Sequence, residues 1–240
     1  MTGHFLIRKR KTNVEGNIYA DKSSIVLDWL LRIGIDKEAF SIREAAKECS
    51  VSLGLVQKVF GQLVSKGLLH SEGIRTNKRF SLRHPQALLN SWINEYSLVK
   101  KCKLLNFQSG LDGKEALLKV LHTSKFNNKV ALALHSAAEE FGCKNTNLNT
   151  LELYLLDPSI KSKLENLLHL EPQERGYEVL LIEPFYKSLL SQCGVTCGKN
   201  RVASPLLTFL DLYHFPLRGQ EQAEFMAERI PELKRIYKKN

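Results

Sequence analysis

The sequence predicts an α+β protein in two parts. Three helices and a hairpin occupy residues 22–90, and strands alternating with helices build a small mixed sheet over residues 91–240. Three observations support this division. Apolar residues recur at helical spacing near the N-terminus, short β-like runs alternate with helical stretches further on, and positive charge is concentrated in the first part. Residues 1–90 hold 15 Lys+Arg against 8 Asp+Glu, and the remaining 150 residues hold 20 against 17. A length of 240 residues suits one large domain or two of ordinary size.

Residues 1–21 lack helical periodicity and carry Arg8, Lys9, Arg10 and Lys11, a basic arm suited to phosphate contacts. From Ser24, the apolar residues Ile25, Val26, Trp29, Leu30 and Ile33 form the stripe of an amphipathic helix that Gly34 ends. Ser41 and Glu44 have the spacing of a capping box and open a helix of about two turns. Ser52 is placed to cap a third helix, whose buried face is Val56, Val59, Phe60, Leu63 and Val64. Its other face shows Gly54, Gln57, Lys58, Gly61, Gln62 and Ser65, with no acid among them. Lys66-Gly67 is a normal helix stop. Two short β-like runs, at 68–71 and 79–83, flank a tip containing Arg75, Asn77, Lys78 and Arg79.

This order of short helices and a hairpin over residues 22–84 resembles the winged helix-turn-helix fold. The resemblance implies that the third helix enters the major groove of double-stranded DNA. Ser52 and Gly54 would let the backbone approach phosphates, Gln57 would read adenine, and Lys58 would contact guanine or phosphate. Arg75, Asn77, Lys78 and Arg79 would form the wing, touching the backbone or the minor groove. An acid on the helix face would meet the phosphates unfavourably, which accounts for its composition. Pro85 then opens a connecting helix with Leu88, Leu89, Trp92, Ile93 and Tyr96 on one face, suited to packing on a domain or on a second subunit.

Beyond the boundary near residue 90, the reading gives a helix at 113–122, a strand at 129–136, and a short helix at 136–141. Strands follow at 151–157 and 178–184, with a short one at 201–203. Asp157-Pro158 and Ser204-Pro205 each open a helix, and Gln220–Arg229 forms another. A strand, a small-residue turn at His135-Ser136, a helix, and then a strand carrying Glu152 and Tyr154 resemble the nucleotidyltransferase core. That core carries Gly-Ser and a pair of metal-binding carboxylates. Here one carboxylate stands where two-metal chemistry needs a pair, so the constellation is broken, and Glu152 reads as a sheet-edge or solvent-facing residue.

The run "VLLIEPF", the following loop, and "RVASPLLTFLDLYHFPLRGQEQAEFM" resemble the AbiEi-type antitoxins of type IV toxin–antitoxin systems. The resemblance implies a transcriptional repressor of its own operon; a homodimer joined through the connecting helix would in addition favour an operator with inverted repeats. It also implies a C-terminal nucleotidyltransferase-like domain without catalytic residues, which opposes a nucleotidyltransferase toxin directly or functionally. Two rival readings stand beside it. One is an active nucleotidyltransferase using Glu152 and a second acid; the other is a plasmid replication or partition protein.

Other chemistries find no support. The seven histidines show no metal-ligand spacing, and His135 reads as a hydrogen-bonded structural residue. Five scattered cysteines form no disulfide framework, and Cys193 and Cys197 lack the second pair that a zinc site needs. No nucleotide-binding glycine motif occurs, so no cofactor, metal site or catalytic residue is expected. No run of 18 apolar residues is present, and the N-terminus does not read as a secretory signal. The expectation is a cytoplasmic protein with no membrane partner.

Overall fold

The computed structural model describes residues 17–74 and 77–238. The first three helices are α1 (Asp21–Arg32), α2 (Ile42–Glu48) and α3 (Leu53–Ser65). Ser41 and Glu44 make the reciprocal bonds of the capping box. Between α2 and α3 the chain turns sharply at Ser50, which takes a left-handed φ of 52°. Gly67, with φ of 70°, closes α3. Its amide bonds to the Val64 carbonyl, and the Leu68 amide reaches the Leu63 carbonyl, which is the Schellman arrangement that a glycine permits.

The antiparallel hairpin of β1 (Leu69–Glu72) and β2 (Arg79–Leu82) follows directly. Phe40, ahead of α2, pairs with Phe80 through two backbone bonds of 2.8 Å. Trp29, Phe40, Phe60 and Phe80 stack in sequence with ring centroids 5.0, 5.6 and 4.9 Å apart, tying the helices to the hairpin.

Helices α4 (Pro85–Glu95) and α5 (Leu98–Lys101) lead into a seven-stranded mixed sheet. Its strands are β3 (Lys103–Ser109), β4 (Val130–Leu132), β5 (Leu151–Leu155), β6 (Leu170–Pro172), β7 (Val179–Glu183), β8 (Val195–Cys197) and β9 (Asn200–Val202). The spatial order is β6-β3-β7-β5-β4-β9-β8, with β5/β7 and β4/β9 parallel and the other pairs antiparallel. The helices of this region are α6 (Gly113–Thr123), α7 (Leu134–Glu140), α8 (Lys161–Leu167), α9 (Lys187–Cys193), α10 (Pro205–Tyr213), α11 (Gly219–Arg229) and α12 (Pro231–Lys234).

Side chains alternate across the sheet, as the two-residue strand period requires. Leu151, Leu153 and Leu155 of β5 face one apolar cluster with α6 and α8, and Tyr154 joins the other, with α7, α9 and α10.

Several elements differ from the sequence reading. The strand expected at 129–136 stops at Leu132, because Leu134 enters a left-handed conformation (φ 47°) and starts α7 early. Strand β3 does not alternate apolar with polar residues, and Leu104, Leu105 and Asn106 are only half-buried, so its pattern is weak although Gly110 follows it; pairing with β6 and β7 defines it. β6, β8, α5, α9 and α12 span only three to seven residues each and are also fixed by their neighbours.

The buried core runs without a break across residue 90. The Asp21 carboxylate at the start of α1 accepts from the Ser188 amide (2.8 Å) and hydroxyl (2.7 Å) on α9. The Trp92 indole donates to the Tyr186 hydroxyl at 2.9 Å, which donates in turn to the Tyr19 carbonyl at 3.1 Å. The helical region is thus docked on the sheet region through α1 and α4.

Candidate nucleic-acid interface

Helix α3 buries Val56, Val59, Phe60 and Leu63 completely and leaves Val64 half-buried. This anchoring turns Ser52, Gly54, Gln57 and Lys58 to solvent. The Ser52 hydroxyl accepts from the Leu55 amide at 3.3 Å, so the residue read as a phosphate neighbour is also the helix cap. A methyl group added at Gly54 or Gly61 would meet nothing within 4 Å, so the face is open as well as small.

The acids nearest in sequence are tied down. The Lys37 ammonium lies 2.6 Å from Glu44 and 2.9 Å from Glu48, and the Trp29 indole donates to Glu48 at 2.7 Å. The Lys37 bond, followed by that from Trp29, holds the Glu48 carboxyl below its ordinary range.

In the hairpin, Asn77, Lys78 and Arg79 are exposed, and the Lys78 ammonium sits 5.4 Å from the centre of the Phe80 ring. Gly73 (φ 78°) is required at the tip, since a Cβ there would lie 2.6 Å from the Asn77 carbonyl oxygen. Arg75 and the basic run at residues 8–11 lie outside the described residues. The described candidate residues therefore fall in two exposed sets, one on α3 and one on the hairpin.

Two apolar residues escaped the sequence reading. Leu53, in the first turn of α3, is 51% exposed, and Ile74, at the hairpin tip, is 81% exposed. Their signal was available: each is an apolar residue off any buried stripe, next to polar candidates.

The sheet region gives the opposite result at its own candidate. Glu152 is fully buried on β5, an inner strand of the sheet, which corrects its reading as an edge or solvent-facing residue. One carboxylate oxygen accepts from the Ser136 amide (2.9 Å) and hydroxyl (2.5 Å) at the start of α7. The other accepts from the Thr150 hydroxyl (2.5 Å) and the Tyr177 hydroxyl (3.3 Å). Burial, and then the Glu152 carboxylate, raise the Tyr177 hydroxyl well above its ordinary pKa, so it remains a donor.

Tyr154, two residues along, donates to buried Asp211 at 2.7 Å, as does Tyr96. His135 is buried and bonds through Nε2 to the Leu217 carbonyl at 2.9 Å, while its Nδ1 has no partner among the described residues. Burial lowers its pKa below the ordinary histidine value, against the raising effect of the Glu152 carboxylate. Glu183 pairs with Lys103 at 3.0 Å. Among the described residues, no helix is long and apolar enough to cross a membrane.

Comparison with known proteins bears on the larger part of this structure. A family model described as transcriptional regulator, AbiEi antitoxin, type IV TA system matches residues 81–231, from within β2 to the start of α12. Searches of curated proteins and of solved structures gave no match. With well over half its length inside that family model, the chain belongs to the AbiEi antitoxin family of transcriptional regulators of type IV toxin–antitoxin systems.

Proposed function

We propose that residues 22–90 form a winged helix-turn-helix module through which this regulator binds double-stranded operator DNA and represses its own operon. The observation that carries the reading is the open, acid-free face of α3, followed by a hairpin with exposed Asn77, Lys78 and Arg79. The left-handed turn at Ser50 and the bridge from Phe40 to β2 give the helix pair and hairpin the frame that such a module needs. In this reading Gln57 reads a base edge and Leu53 meets a thymine methyl. Lys58, Lys78, Arg79 and Arg75 contact phosphates. Inverted repeats in the operator would match a homodimer bound to it.

The sheet region is, in the same proposal, a degenerate nucleotidyltransferase-like domain that opposes a nucleotidyltransferase toxin. The Glu152 geometry supports this, since four protein donors occupy a carboxylate that a catalytic metal would require.

Gel-shift titrations on the region upstream of the gene, at several salt concentrations, test the DNA assignment. Gln57→Ala is expected to cost about 1–3 kcal/mol on the specific site and to relax its sequence preference. Lys78→Ala or Arg75→Ala should weaken all sequences alike and reduce the salt slope by about one. Absence of duplex binding by the wild-type chain would overturn the proposal.

A further inference from the structure

Between the ends of β5 and β7 lies a crevice of about 280 Å³, lined by Lys129, Leu155, Pro184, Lys187, Ser191 and Arg201 among others. Its origin is topological. The two strands are parallel neighbours, paired from Leu151 with Val179 to Tyr154 with Ile182, so their carboxyl ends lie together. From β5 the chain passes through α8 to β6 at one edge of the sheet; from β7 it passes through α9 to β8 at the other. Leu164 of α8 packs in the cluster of one sheet face, and Leu189 and Leu190 of α9 pack in that of the other. Two adjacent strand ends whose connections leave toward opposite faces open a gap, and open α/β sheets repeatedly use such gaps for ligands.

The charges in this gap do not cancel. Lys129 pairs with Asp157 at 2.9 Å, and the bonds from Ser159, followed by Lys129, bring the Asp157 carboxyl down to about 2. Lys187 is exposed and makes no ion pair among the described residues. Arg201 is held in place by donating to the Leu190 and Ser191 carbonyls at 3.3 and 3.4 Å, so little freedom is left to lose on binding. Three cations against one carboxylate leave a local charge that matches a phosphomonoester dianion. Leu155 and Pro184 add apolar wall for the body of such a ligand, and the volume admits one of small size.

The crevice is also separate from the Ser136–Glu152 cluster. Val130, at the start of β4, pairs with Leu155, whereas Ser136 follows the end of β4, at the opposite end of the strands.

We infer that this crevice is a binding site for a small phosphomonoester with an apolar or aromatic body. Calorimetric titration of the full chain with phenyl phosphate, inorganic phosphate and phenol tests it. Phenyl phosphate should bind about tenfold more tightly than inorganic phosphate, and phenol should not bind measurably. Lys187→Glu, at an exposed position, should weaken phenyl phosphate by about tenfold or more, while Lys58→Ala leaves it unchanged. Lys187→Ala, with a smaller loss in the same direction, serves if the charge reversal impairs folding. Equal affinity in the Lys187 variants and wild type, inorganic phosphate binding as tightly as phenyl phosphate, loss in Lys58→Ala, or no binding would each overturn the inference.

Discussion

Helices α3 and α7 each carry a serine at their start, Ser52 as the cap of α3 and Ser136 in the first turn of α7, yet their entrances meet opposite fates. A helix start presents unpaired amides and a partial positive charge, so it favours an acceptor or an anion. At α7 the acceptor is internal: Glu152, from the neighbouring strand, takes both the amide and the hydroxyl of Ser136, and the whole cluster is buried. At α3 a neutral Ser52 hydroxyl satisfies one amide, and the rest of the entrance faces solvent beside Gly54, Gln57 and Lys58. Residue type alone does not distinguish a binding site from a structural plug. What separates them is whether the surrounding chain has already supplied the partner.

The sharpest way to break this contrast is at Glu152. Glu152→Ala leaves the Ser136, Thr150 and Tyr177 donors without their acceptor inside the core, and should cost about 4 kcal/mol, read as a lower midpoint in urea. Full stability in this variant would mean that the carboxylate is not committed to the fold. The wild-type chain should also transfer no label from nucleoside triphosphates to tRNA or protein acceptors with magnesium or manganese. Transfer abolished by Glu152→Gln would turn the plug into a catalytic group and overturn the reading of α7.

A second test uses the buried carboxyl that joins the two regions. Asp211 on α10 accepts from Tyr96, just past α4, and from Tyr154 on β5. Burial raises its pKa from 3.8 to about 7, against the lowering effect of the two tyrosine hydroxyls. The folded chain thus keeps a proton that the unfolded chain releases between those values. Stability attributable to Asp211 is therefore fully present below pH 4, falls by about 1.4 kcal/mol per pH unit as pH rises toward 7, and is level above. Asp211→Asn removes that slope. Urea unfolding of both forms at three pH values within this window gives the difference directly, and parallel curves would show that Asp211 is ionised throughout.

The smallest effect is the most specific to α3. Gly54 and Gly61 sit in the helix with open space at the Cβ position, so each replacement by alanine should stabilise the chain by about 0.5–1 kcal/mol. If DNA approaches this face, the same methyl groups should weaken operator binding. Thermal melts and gel shifts on the same proteins separate the two effects. Alanine variants that are more stable and bind as well as wild type would move the interface off α3.

Legibility in the sequence followed locality. The capping box at Ser41, the stop at Gly67 and the apolar face of α4 are patterns within about a dozen residues, and the structure carries each of them. The stripe expected for α1 holds for Ile25, Val26, Trp29 and Leu30, whereas Ile33 lies past the helix end and is exposed, and the helix is buried continuously from Ser23 to Leu31. The same holds for Ser204, whose hydroxyl caps α10 by accepting from Leu207. Strand β3 is illegible because its seven residues do not alternate apolar with polar, so the Ser109-Gly110 turn that follows closes no recognisable strand pattern. The exposed Leu53 and Ile74 were passed over because an apolar residue in a helix or hairpin is ordinarily assigned to a core.

The sequence by itself determined that α1 to α4 and α10 form, how Ser41, Ser52 and Ser204 cap their helices, and which face of α3 carries no acid. Those properties depend on hydrogen bonds and side-chain spacing inside one segment. Tertiary structure alone decided that Glu152 is a buried acceptor, that α1 docks on α9 through Asp21 and Ser188, and that β5 and β7 end side by side. Each of these joins residues far apart in the chain, and their pairing depends on strand order and burial, which no local pattern encodes.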